Sequence, residues 1–193
     1  MEPATVGILV AVGVVVLLAV IVGIWFWSAR TTLIARRTRV DDAWSDITTQ
    51  LARRGALVPD LVEAVHGYAT HETAAFDRLL AARDETTSAR TPGEASVAEA
   101  HVQTSLKAVF AVAESYPQLL SSQAFLRLQS ELVETEDGIQ AARRSYNGSV
   151  RELNAGARSF PAKLFARGPA YAEREFFEVS QPSAIAEPPR VQF

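Results

Sequence analysis

Val6 to Trp27 is an unbroken run of 22 residues without a charge, and polar side chains return in force only from Ser28 onward. At about 1.5 Å per residue, a helix of that length covers roughly 33 Å, enough to cross the hydrocarbon of a bilayer with slight tilt. The run closes on Trp25, Phe26 and Trp27, rings suited to headgroup level, so Val6, Trp25 and Trp27 mark the expected span. A cleavable signal needs a basic start, and Met1 to Thr5 offers none. Gly7, Gly13 and Gly23 lack the GxxxG spacing of a dimerising span.

Beyond the span, apolar residues recur three and four apart with no sustained alternation, which predicts helix throughout. The first helix presents Leu33, Val40, Trp44, Ile47 and Leu51 on one face. Arg53 and Arg54 followed by Gly55 read as its end, because cations suit a helix C-terminus and glycine its cap. Pro59 then either opens a new helix or bends a longer one, and the pattern leaves both open. A second helix carries Leu61, Val65, Tyr68, Phe76 and Leu79 and fades into Asp84 to Arg90. Thr91, Pro92 and Glu94 spell a capping box, Ser96 with Glu99 offers another, and a third helix follows with Val102, Leu106, Val109, Val112 and Tyr116 inward. It stops before Pro117, and Ser121 and Ser122 supply cap hydroxyls for the next element.

The fourth helix has the clearest repeat. Phe125, Leu128, Leu132, Thr135, Ile139, Ala142, Tyr146, Ser149, Leu153, Gly156 and Phe160 alternate steps of three and four, the a/d seam of a coiled coil. Its small members let a neighbour approach closely. Acidic residues crowd its first half and arginines its second, matching the helix dipole with no ligand required.

These elements predict an all-α protein: an N-terminal transmembrane helix, then an antiparallel four-helix bundle, then a disordered C-terminal tail. The expected division is 1–29 for the amino end and span, 30–160 for the bundle, 161–179 for an interfacial segment, and 180–193 for a proline-containing tail. In an up-and-down bundle the fourth helix returns to the bilayer. Phe160, Phe165, Tyr171, Phe176 and Phe177, beside Lys163, Arg167 and Arg174, then either touch lipid or close the end of the bundle. The tail ends in Val191, Gln192 and Phe193, a pattern that fits strand addition to a PDZ-type groove, so Phe165, Val191 and Phe193 are the candidate interaction residues.

Charge sets the orientation. Arg30, Arg36, Arg37 and Arg39 follow the span, against only Glu2 and the terminal amine before it. A single-pass cell-membrane protein with its amino end outside and its bulk cytoplasmic is therefore expected. The formal charge of −3 gives no basic excess for nucleic acid, and cysteine is absent, which removes disulfides and thiolate chemistry. Glu63 and His66 have the spacing of a di-iron Glu-x-x-His pair, but neither His71 nor His101 completes a second, so a solvated helix face is the plainer reading. No phosphate-binding loop or nucleophile elbow is present, and Asn147-Gly148-Ser149 is a chance glycosylation sequon. No catalytic residue, cofactor, metal or small-molecule ligand is expected.

The stretches "DDAWSDITTQLARRGALVPDLVEAVHGYATHE", "YPQLLSSQAFLRLQSELVETEDGIQAARRSYNGSVRELNAGARSFPA" and "PPRVQF", behind one amino-terminal span, resemble the LemA family of bacterial membrane proteins. The most specific residues are Arg53, Arg54, Leu57, Pro59, Leu61, Val62, Gly67 and Tyr68, then Leu132, Glu134, Thr135, Glu136, Ala142, Arg143, Tyr146, Asn147, Phe160 and Pro161. His66 departs from the family pattern, where lysine is commoner. The resemblance implies an antiparallel four-helix bundle on a membrane stalk and carries over no catalytic residue. The expected function is thus a membrane-anchored scaffold or adaptor that acts by protein–protein interaction. Its expected partners are the bilayer and other membrane proteins, with self-association along helix faces. A partner or regulator of a membrane protease, engaged through the tail, is the alternative, and a metal-dependent enzyme the second alternative.

Overall fold

One helix, α1 (Pro3–His66), carries both the apolar run and the first stripe of core residues. The computed structural model describes residues 3–165 and 172–178. After α1 come α2 (Thr73–Ser88), α3 (Pro92–Glu114), the single turn α4 (Pro117–Leu120), the long α5 (Gln123–Arg158) and the single turn α6 (Ala162–Phe165). Ala172 to Glu178 has no regular secondary structure, and no strand occurs among the described residues.

Two compact units are distinguished: Met1–Val40 with Ser149–Arg174, and Asp41–Gly148 with Glu175–Phe193. In the first, Leu33 and Val40 of α1 are buried, as are Val150, Leu153 and Ala157 of α5. From Val12 to Trp27 the apolar side chains of α1 are largely exposed: Val12 is 54% exposed, Leu18 56% and Trp27 75%. An exposed apolar surface of this length marks a membrane or protein contact. Among the described residues, α1 is the one helix long and apolar enough to cross a membrane.

In the second unit Val58, Leu61 and Val65 of α1 pack with Phe76 and Leu79 of α2, Leu106 and Val109 of α3, and Phe125 and Leu132 of α5. All but Val58 are residues whose spacing marked inward faces, and Tyr68, marked likewise, is 44% exposed. The capping box at Thr91 forms as expected. Its hydroxyl accepts from Glu94 N–H at 3.2 Å while Glu94 Oε2 accepts from Thr91 N–H at 3.3 Å, tying down two of the orphan donors at the start of α3. The second box does not form: Ser96 lies inside α3 and donates to the Pro92 carbonyl at 2.8 Å. Ser122 accepts from Phe125 N–H at 3.5 Å at the start of α5.

The reading of Arg53–Arg54–Gly55 as a helix end is overturned, since α1 passes through all three and keeps Pro59 in its interior. Proline there lacks the N–H that would bond the carbonyl four residues back, and that carbonyl belongs to Gly55. Arg83 of α2 supplies the missing donor, its Nε bonding Gly55 O at 3.2 Å. A Cβ on residue 55 would meet Arg83 Cγ at 3.6 Å, an ordinary van der Waals contact, so the Arg83 stem lies directly against this stretch of α1. A tertiary bond thus repairs what proline removes. Arg83→Ala is expected to cost about 1 kcal/mol in the natural chain. Beside Pro59→Ala, whose new N–H takes over the Gly55 carbonyl, it should cost close to nothing. A double-mutant cycle on denaturant midpoints reads the coupling directly.

Candidate functional site

Two constellations in the second unit and one in the first carry the polar organisation of the molecule. The most specific is a cradle on α5 for the irregular strap Ala172–Glu178. Asn147 donates from its amide nitrogen to Phe177 O at 3.0 Å and accepts from Phe177 N–H at 2.9 Å. A side-chain amide presents one acceptor and a donor side by side, so a single asparagine satisfies both backbone groups of one extended residue, as a neighbouring strand would. Beside it the Tyr146 hydroxyl donates to Glu175 O at 2.8 Å. The Phe177 side chain is wholly buried, its ring 6.2 Å from that of Trp44, which in turn stands 5.6 Å from Tyr146. The strap is therefore gripped by its backbone and by one aromatic anchor.

In the first unit the same pairing recurs one heptad further along α5. Asn154 donates to Arg174 O and accepts from Arg174 N–H, both at 3.0 Å. Arg158 adds a bidentate ion pair to Glu173, at 2.7 and 2.6 Å. The Arg158 hydrogen bonds hold the Glu173 carboxyl below its ordinary range, and Glu173 raises Arg158 in turn. A depressed carboxylate contributes stability above its unfolded pKa, lost as pH falls through the folded value. The strap is expected to loosen in acid below the usual carboxylate range, seen as faster amide exchange at Arg174, and Glu173→Gln should abolish that pH dependence. Because the pair is exposed, the effect is small.

The other constellation of the second unit is a buried charge centre. The Arg54 guanidinium, 1% exposed, donates to Glu99 through both terminal nitrogens, Nη1 to Oε1 at 2.6 Å and Nη2 to Oε2. Nη1 also reaches Glu136 Oε2 at 3.3 Å. Gln103 donates to Glu99 at 3.2 Å and Gln140 to Glu136 at 2.7 Å. Burial pushes the Glu99 carboxyl above its ordinary range, against the pull of Arg54. Two carboxylates share one cation here, and among the described residues no buried side-chain nitrogen or oxygen lacks a partner. A cavity of about 170 Å³ adjoins, lined by Trp44, Val58, Thr86 and Val102 with Arg54 and Arg83.

Of the residues singled out in the sequence, Val6 lies in α1, while Trp25 and Trp27 stand 47% and 75% exposed at the end of the apolar run. Phe165 is the last residue of α6. Tyr171, Arg167, Val191, Phe193 and the whole tail 180–193 lie outside the described residues. Of the aromatics read as touching either lipid or the bundle, Phe177 is fully buried against Trp44 and so faces protein, whereas Phe160 is 65% exposed. Glu63 and His66 are exposed, and the His66 ring meets Phe76 with centroids 5.8 Å apart. No group of three or more acidic or histidine side chains among the described residues is arranged to hold a metal ion.

Sequence reasoning missed Asn147, Asn154 and Arg54 as structural centres. The available signal for the asparagines was their spacing: two poor helix formers one heptad apart inside a strongly periodic helix. The family model of the LemA family matches residues 43–193, most of the chain. No curated protein matches it.

Proposed function

The chain belongs to the LemA family, and from that premise we propose that it is a membrane-anchored helical scaffold or adaptor that works by protein–protein interaction, without chemistry of its own. The observation that carries this reading is the continuity of α1: its apolar run is bare, and the same helix supplies Val58, Leu61 and Val65 to the core. Anchor and scaffold are joined through one helix, so whatever binds the bundle is tethered at the membrane.

In this reading α1, α2, α3 and α5 form an antiparallel four-helix bundle. In the first unit Trp25 meets Phe160, and Arg36 donates to Glu152 O at 3.3 Å across Gly156, where a Cβ would collide with the guanidinium. In the second unit Gln50 covers Gly138 and Arg53 pairs with Glu134 at 3.0 Å. Within each, numbering climbs along α1 as it falls along α5, which supports the up-and-down arrangement, and at Gly156 the small seam residue admits a close neighbour. The arginines after the span argue for a cytoplasmic bundle. Other membrane proteins, or further copies of this chain, are the partners proposed.

Crosslinking of the full chain in intact cells, followed by identification of neighbours, tests the proposal. A reproducible set of membrane proteins or self-adducts is the expected result. A chain with no protein neighbour, or with a carboxyl-terminal tag open to protease added outside intact cells, would overturn the scaffold or its orientation respectively.

A further inference from the structure

The first unit leaves a cluster of large apolar side chains in water at the corner where α5 ends. Phe160 is 65% exposed and Leu164 59%. The corner that displays them is well held. Ser159 N–H and its hydroxyl both bond Gly156 O, at 3.2 and 2.7 Å; Lys163 N–H bonds Ser159 O at 2.8 Å; and Leu164 N–H bonds Pro161 O at 3.0 Å. Pro161 and Ala162 are buried beneath it. The turn thus buries its small residues and presents its large ones outward, the reverse of what a water-facing corner does. Between the two sits Lys163, also exposed. The Phe160 ring packs at a tilt against Trp25, centroids 5.2 Å apart, and Trp25 lies at the end of the apolar run of α1. An exposed patch continuous with a candidate span, carrying one cation, matches the chemistry of the bilayer interface.

We propose that the turn Ser159–Leu164 is a second foothold on the bilayer, with Phe160 and Leu164 entering the interfacial layer beside Trp25 and the Lys163 ammonium meeting anionic headgroups. The inference deepens the anchoring proposed above and rests on it. Its consequence is mechanical: a single helix leaving a membrane is free to swivel, whereas two contacts fix which face of the first unit looks toward the lipid.

The natural absence of cysteine makes the test clean. Full-length Leu17→Cys, Leu164→Cys and Leu126→Cys, each labelled with an environment-sensitive fluorophore, are reconstituted in vesicles of neutral lipid and of neutral plus anionic lipid. The quenching agents are spin labels carried on lipid and iodide in water. Leu126 is 49% exposed at the start of α5 and controls for a dye that seeks lipid by itself. Position 17 should be quenched by lipid only. Position 164 should be quenched by shallow lipid spin labels severalfold more than position 126, and more in anionic vesicles than in neutral ones, a difference that Lys163→Glu removes. Position 164 behaving like 126 while 17 stays in lipid would overturn the foothold and leave the anchor standing. Position 17 open to iodide would overturn the anchor itself. Equal quenching at 164 in both vesicle types would overturn the role of Lys163.

Discussion

Arg54→Met should destabilise the second unit by about 3–5 kcal/mol at neutral pH, because it strands two carboxylates in a core that excludes water. Glu99 and Glu136 are 0% and 5% exposed, and the guanidinium is the cation both of them face. The loss should depend on pH in a definite sense. Burial already holds the Glu99 carboxyl above its ordinary range in the natural protein, and without Arg54 the folded-state value climbs further. A carboxyl whose folded pKa exceeds its unfolded one favours the fold below the unfolded value, and that contribution vanishes as pH rises through the folded value. The variant should therefore regain stability as pH falls toward the ordinary carboxylate range, reading as a rising thermal midpoint by circular dichroism. A variant equally unstable across that range would show that packing, not charge, dominates the site.

Glu99→Gln provides the contrast. It keeps the shape and an acceptor for Arg54 while leaving one carboxylate, that of Glu136, for one guanidinium. The cost should be far smaller than that of Arg54→Met. Apolar residues of similar volume at all three positions should recover most of the loss, since a buried ion network and a packed apolar core are close in free energy whereas a broken network is not. The three substitutions are thus strongly non-additive, and the sign of the coupling identifies the charge centre as a unit.

The helical architecture was legible because burial in this chain is periodic: Leu132, Thr135, Ile139, Tyr146 and Leu153 of the seam are all buried. The Thr91 cap was legible because its partners lie three residues apart. Arg54 was not. Its local surroundings, a second arginine and then glycine, mimic a helix C-terminus, and the partners that bury it lie 45 and 82 positions away on α3 and α5. The Gly55–Pro59 pair failed for the same reason, since the arginine that makes an interior proline tolerable comes from another helix. The strap was half legible. Aromatic composition flagged its region, but which ring faces protein and which faces out depends on Asn147 and Trp44, and no local pattern links either to Phe177.

Phe177→Ala should release the strap. Truncating a fully buried phenylalanine costs about 3–5 kcal/mol, and here the loss falls on a short terminal segment whose remaining grip in the second unit is three hydrogen bonds, from Tyr146 and Asn147. Each of those bonds nets about 1 kcal/mol against water, which cannot offset the lost anchor. Local opening, not global unfolding, is the cheaper response, so the denaturant midpoint should move less than the amide exchange at position 177, which should quicken by roughly two to three powers of ten. Trp44 reports the same event: in a Trp25→Phe, Trp27→Phe background its emission should shift to the red as the covering ring disappears. Phe177→Leu, which refills much of the volume, should restore most of the protection, whereas Asn147→Ala should leave the ring seated and raise exchange more modestly. Exchange at 177 that rises only in step with global unfolding would mean that strap and bundle form one cooperative unit, and that the asparagine clamp has no independent grip.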